Sequence, residues 1–96
     1  MASLGLVEVE SVTGALDCLD IMCKTAAVEF VTWERKLGGR LVTVIVSGSP
    51  DAVTAAVEST DSAKIKPCSR AVILNPHEET MKIVNLSSAR FKKNSK

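Results

Sequence analysis

The sequence predicts an α+β fold with the element order β-α-β-β-α-β, which is the order of a ferredoxin-like sheet. Two stretches carry apolar residues at helical spacing, and four shorter stretches are rich in Val, Ile and Leu. At 96 residues the chain is long enough for one domain with a modest core. The order predicts an antiparallel sheet with two main helices on one face.

The first half of the chain predicts a strand, a helix and a second strand. Residues 4–10 form the first strand, because their side chains alternate between two faces and the segment becomes polar at its end. Ser11 or Thr13 can accept a hydrogen bond from the free N–H groups that begin a following helix. Residues 27–36 form the second strand. In the helix between these strands, Leu16, Leu19 and Cys23 recur at helical spacing, with Ala15 and Met22 beside them.

The second half predicts a strand, a helix, a strand and a short C-terminal helix. Residues 41–46 (LVTVIV) form the third strand. Ser49 and Pro50 start the helix after it, because Ser caps helices and Pro fits their first position. Residues 69–75 form the fourth strand and residues 78–86 the short helix.

The folded domain is expected to span residues 3–86. Residues 87–96 are polar and basic, and we expect this tail to be disordered. The third strand is apolar on both faces, whereas two helices cover only one. The chain is too short for a second layer, so we expect another copy of the chain to cover the other face.

Composition argues against several classes of partner. Aromatic residues make up only 3% of the chain, which leaves few platforms for stacking nucleic-acid bases. The net charge of +1 provides no basic surface for DNA or for a membrane, and no apolar run approaches the ~20 residues that span a bilayer. The sequence begins without the pattern of a signal peptide, so we expect a cytoplasmic protein with free, structural thiols.

Few residues are suited to catalysis. The single histidine, His77, has no nucleophile or second metal ligand beside it in sequence, so we interpret it as a packing or contact residue. The patterns of a P-loop, a dinucleotide site and a zinc site do not occur in the sequence. We therefore expect no enzyme activity, no cofactor and no metal ion.

Gly38 and Gly39 form a diglycine tip just before the third strand. Glycine permits positive φ and removes side-chain bulk. The tip therefore suits either an ordinary turn between two strands or backbone that lines a narrow passage or grips a small ligand. Both interpretations stay open on these residues alone.

Four short motifs follow one another along the chain. Residues 3–8 read SLGLVE, residues 20–26 read DIMCKTA, residues 37–48 contain the diglycine tip and its strand, and residues 75–77 read NPH. In this order they resemble the opening strand, the first helix, the pore loop and the final corner of the single-domain shell proteins of bacterial microcompartments, the BMC family. The resemblance covers most of the chain.

The resemblance implies a flat hexameric tile with a central pore on its sixfold axis. Leu37, Gly38 and Gly39 would line the pore, with Arg40 beside them. Exposed backbone N–H groups in such a ring favour small polar or anionic metabolites. The family's pore commonly carries a Ser between two glycines, where this chain has Gly39 followed by Arg40 in a loop one residue longer.

The resemblance also implies contacts between neighbouring hexamers. Lys24 and His77 would lie at the edge of the tile, together with Asn75, which replaces an arginine common in the family. The implied function is a structural, self-assembling shell protein of a bacterial microcompartment in the cytoplasm. Its implied partners are further copies of itself, other shell proteins and enclosed enzymes, without nucleic acid or membrane.

Two other functions remain as alternatives. In the first, the chain is a specialised shell subunit that carries an iron–sulfur cluster or another metal, with Cys68 brought together around the axis. In the second, the chain is a small ferredoxin-like regulatory domain that binds an anionic ligand at its diglycine tip.

Overall fold

The structure, a computed structural model, describes residues 2–35 and 41–94. Its sheet has the strand order β2-β3-β1-β4, and all neighbouring strands are antiparallel. This arrangement confirms the predicted fold. The elements are β1 Ser3–Val9, α1 Val12–Thr25, β2 Glu29–Arg35, β3 Val42–Gly48, α2 Pro50–Ser59, a 3₁₀ turn Thr60–Ser62, β4 Ser69–Ile73 and α3 Glu78–Asn94.

Both main helices begin at serine caps. The side chain of Ser11 accepts a hydrogen bond from the N–H of Gly14, and α1 starts at the next residue. The side chain of Ser49 accepts one from the N–H of Ala52, with Pro50 at the first helical position, as the sequence predicts. Of the two expected caps for α1, Ser11 is the one used.

Helices α1 and α2 pack on the first face of the sheet and form the larger core. Gly5 of β1 lies directly under α2, because a Cβ at this position would be 2.8 Å from Val57 Cγ2 and 2.9 Å from Val53 Cγ1. The close approach of helix and strand therefore requires glycine here. The core residues include Val7, Val9, Ala15, Cys18, Met22, Val42, Val44, Val46, Val53, Ala56, Val57 and Ala63.

Helix α3 covers part of the second face of the sheet. Val84 forms a buried cluster with Leu4 of β1 and Ile45 of β3, and four partly buried residues pack against this cluster: Leu6, Val31, Ile73 and Met81. The expectation that this chain is too short to supply a second layer is wrong. A single helix that crosses the sheet from the end of β4 to β2 provides it.

The C-terminal segment is ordered helix over most of its length. We expected a short helix over residues 78–86 and a disordered tail from residue 87, but α3 has 17 residues and ends at Asn94. The tail prediction is therefore wrong for residues 87–94. The physical reason is tertiary packing: Phe91 contacts the rings of Phe30 and Trp33, so a segment of polar composition carries one aromatic anchor.

Candidate functional site

The strand register defines two opposite ends of the sheet. At one end Gly48 pairs with Ser3, and the Ser3 hydroxyl donates to the Leu74 carbonyl at 2.5 Å. We call this the Ser3 end. At the other end Val42 of β3 pairs with Arg35 of β2, and residues 36–40 connect these two strands. We call this the loop end. Strands of seven residues separate the two ends by about 20 Å.

Lys24 lies at the Ser3 end, in the last turn of α1. The chain returns to the sheet there, because the carbonyl of Ala27 would be 3.1 Å from a Cβ on Gly48. Lys24 Nζ lies 2.8 Å from Asp20 Oδ2, and the two side chains are 75% and 59% exposed. The hydrogen bond that Lys24 donates to Asp20, together with the negative charge of that carboxylate, raises the pKa of Lys24. The ammonium group is therefore charged and accessible.

Asn75 and His77 lie at the same end, because they follow Leu74 directly. Both are exposed, and Pro76 between them is buried. The His77 Nδ1 accepts a hydrogen bond from the Glu79 N–H at 3.0 Å. The imidazole therefore satisfies one of the free N–H groups at the start of α3. Sequence reasoning missed this capping role, although the position of His77 before two glutamates and an apolar run could have indicated it.

The four predicted pore residues, Leu37, Gly38, Gly39 and Arg40, lie outside the described residues. Their neighbours Arg35 and Leu41 line a cavity of about 270 Å³ at the loop end. Sequence reasoning did not identify this cavity.

The walls of this cavity combine opposite charges. Glu8, Thr43 and Glu34 lie in one row across β1, β3 and β2, because Thr43 pairs with both glutamates. All three line the cavity together with Arg35. Since these side chains alternate with core residues along their strands, they belong to the second face of the sheet. The cavity at the loop end therefore contains both acidic and basic side chains.

The three cysteines have different surroundings. Cys18 is buried, Cys23 and Cys68 are exposed, and all three are free thiols. Burial of Cys18, with a smaller contribution from the charge of Asp17, raises the pKa of its thiol. Cys68 Sγ lies 3.2 Å from the backbone carbonyl of Glu8. Residues 2–35 and 41–94 contain no group of three or more His, Cys, Asp or Glu side chains placed to hold a metal ion.

Residues 3–76 match the family model of the BMC domain. The chain is 39% identical to the bacterial microcompartment shell protein PduA of Citrobacter freundii over 87 residues, which cover 85% of this chain and 90% of PduA. It is 33% identical to the carboxysome shell protein CsoS1C of Hydrogenovibrio crunogenus over 95 residues, which cover 91% of this chain and 88% of that protein.

A solved structure is also similar. The crystal structure of a microcompartment protein from Desulfitobacterium hafniense superposes with a TM-score of 0.75 at 25% identity and covers 91% of this chain. This chain spans only 48% of that protein, about half its length.

The chain belongs to the BMC domain family. The matched residues 3–76 include all four strands and both main helices, and they end just before α3. The predicted family, its fold and the structural role in a microcompartment shell are confirmed. Among the described residues, no helix combines the length and the apolar character that a membrane crossing requires.

Proposed function

We propose that this chain closes into a cyclic hexamer and that the hexamers join edge to edge into a shell. One observation carries the proposal: the strand residues that flank the diglycine segment, Arg35 and Val42, lie at the opposite end of the sheet from the predicted edge residues. A flat ring needs one end of each subunit at its axis and the other at its perimeter. The loop end supplies the axis, and the Ser3 end supplies the perimeter.

The pore is the proposed route for metabolites. Leu37, Gly38, Gly39 and Arg40 of six copies form a ring of small residues, backbone amides and guanidinium groups. Such a ring favours small polar or anionic molecules over large or cationic ones. The cavity lined by Arg35 and Leu41 lies at the same end of the sheet and adds the charged side chains of Glu8, Glu34 and Arg35 there.

The tile edge is the proposed site of contact between hexamers. Lys24 suits this role because its flexible stem can lie along a neighbouring tile while the ammonium binds carbonyl oxygens. Its ion pair with Asp20 is solvent-exposed, so little free energy is lost when the ammonium exchanges partners. Asn75 and His77 add exposed hydrogen-bonding groups at the same end.

The proposed role is structural, with permeation in place of catalysis, and the proposed location is a microcompartment shell in the bacterial cytoplasm. Its partners are further copies of this chain and other shell proteins, with enclosed enzymes on one side of the shell. PduA and CsoS1C, both shell proteins, support this role. No part of the proposed function uses nucleic acid, a membrane or a bound cofactor.

The edge assignment can be tested with Lys24→Ala. We expect the variant to form hexamers of unchanged mass and to lose extended sheets, as seen by electron microscopy. Lys82→Ala is the matched control, because Lys82 also forms an exposed ion pair, at 2.8 Å from Glu79. It should assemble like the wild type.

Extended sheets formed by Lys24→Ala in wild-type amounts would contradict the edge assignment. Sheets lost in both variants would show that assembly responds to surface charge in general and would contradict it equally.

A further inference from the structure

Strand β2 is an outermost strand of the sheet, and it pairs with β3 alone. An outermost strand presents backbone N–H and C=O groups that can pair with a strand of another chain. Proteins that reach high local concentrations, as shell proteins do, must block such pairing. In this structure, the second half of α3 lies against β2.

The second half of α3 contacts β2 through two serines. Ser87 Oγ lies 3.1 Å from Thr32 Oγ1, and both residues are buried. The Ser88 hydroxyl donates to the backbone carbonyl of Val31 at 3.1 Å. Val31 is the extra residue of a bulge and has no partner on β3. The helix therefore donates a hydrogen bond to the backbone of β2 at its bulge.

Charged and aromatic contacts extend along the same strand. Arg90 Nη2 lies 3.3 Å from Glu34 Oε2. The ring of Phe91 lies 5.4 Å from that of Phe30 and 6.1 Å from that of Trp33, both in edge-to-face geometry. These rings are all the aromatic residues of the chain. Phe30 and Trp33 also pack against the larger core, so Phe91 links the end of α3 to that core through β2.

The sequence of β2, EFVTWER, is complementary to itself. In an antiparallel pairing of two copies centred on Thr32, Glu29 of each copy lies opposite Arg35 of the other. Val31 lies opposite Trp33, and Thr32 opposite its own copy. Opposite charges, aromatic with β-branched residues and Thr–Thr are favourable cross-strand pairs. The remaining pair, Phe30 opposite Glu34, adds no such complementarity. The partner that best fits the uncovered strand is therefore β2 of a second copy.

We propose that residues 87–93 of α3 are an edge cover that prevents β2 from pairing with β2 of a second copy of this chain. While the cover is in place, copies of the chain can contact one another only through surfaces other than the outer edge of β2. When the cover is released, that edge becomes available for antiparallel pairing. This inference concerns a segment beyond the matched BMC domain and does not depend on the number of subunits in a ring.

The cover can be released with the double variant Arg90→Ala/Phe91→Ala. We expect the emission of Trp33 to shift, because its contact with Phe91 is lost. We also expect the mass in sedimentation experiments to rise above that of the wild type, because β2 strands of separate assemblies pair. The control is Ile83→Ala, which changes an apolar residue that is 72% exposed on the same helix. It should leave mass and emission unchanged.

Charge variants identify the surface that pairs. In the released background, Glu29→Lys places like charges opposite Arg35 and should return the mass to that of the wild type. Adding Arg35→Glu restores opposite charges and should restore the association. General exposure of apolar surface would not follow this pattern.

Two results would overturn the proposal: a shifted Trp33 emission without association, or association that Glu29→Lys does not reverse. Phe91→Asp provides a second route to release, since a carboxylate is unfavourable among aromatic rings. An emission that neither variant shifts would also overturn it, because the cover would then not depend on these contacts. The mass of each variant is compared with the mass measured for the wild type, whatever its number of subunits. A wild type that is not a hexamer would therefore contradict the hexamer proposal and would not decide this one.

Discussion

Cys18 shows how the position of one side chain determines its chemistry. The three thiols of the chain are identical in sequence terms, yet Cys18 is buried and the other two are exposed. Burial disfavours the thiolate, which is the reactive form, and raises the pKa of Cys18. The sequence predicted structural thiols as a class, but it could not rank them by exposure.

We expect a thiol reagent to modify Cys23 and Cys68 rapidly in the folded protein and Cys18 only after unfolding. Because burial raises the pKa of Cys18, its thiolate fraction at a given pH near neutrality is smaller than that of a thiol with an ordinary pKa. The amplitude of the fast phase measures this directly. Cys18→Ser should leave that amplitude unchanged, whereas Cys23→Ser should lower it. Three thiols in the fast phase would contradict the buried position of Cys18.

His77 is the second residue whose local role follows from geometry. Its Nδ1 accepts the Glu79 N–H, so it acts as a cap for α3. His77→Ala removes this acceptor, and we expect the free energy of unfolding to fall by about 0.5–2 kcal/mol, the usual cost of losing a helix cap.

His77→Asn keeps an acceptor at the cap and should recover most of that loss. Urea unfolding followed by Trp33 fluorescence measures both variants, since Trp33 contacts α3 through Phe91. Equal stability of His77→Ala and the wild type would show that the cap contributes nothing.

At the scale of elements, local patterns predicted the strands and the two main helices well. The serine caps, Pro50 and the β-branched run before residue 47 act through neighbours in sequence, so they can be read without the fold. Helix α3 shows the limit. Its second half is polar, and it is helical because Phe91, Ser87 and Ser88 meet residues of β2 more than fifty positions earlier. No local pattern reports such contacts.

Helix α3 also explains how the apolar second face of the sheet is covered. The apolar alternation in β1 and β3 correctly predicted that both faces need cover. It did not predict which part of the molecule supplies the cover. Val84 and Met81 provide it within one chain, while Ile83 and Leu86 remain exposed on the other side of α3.

At the scale of the whole molecule, the candidate site consists of two regions that lie at opposite ends of one sheet. Motif order was sufficient to predict the family, because four motifs in sequence order are specific. The opposite placement of Lys24 and of the strand residues that flank the diglycine segment depends on strand register, which joins Gly48 to Ser3 and Arg35 to Val42. Because this placement follows from pairing between strands that are distant in sequence, it cannot be predicted from local sequence patterns and is known only from the folded structure.

The mass of the assembled protein in native mass spectrometry tests the central claim most directly. A subunit with one end of its sheet at an axis and the other at a perimeter closes into a ring, and the ring that we propose contains six copies. We therefore predict a dominant species of six times the chain mass of 10.2 kDa. The account would be contradicted by a protein that remains a monomer at every concentration measured.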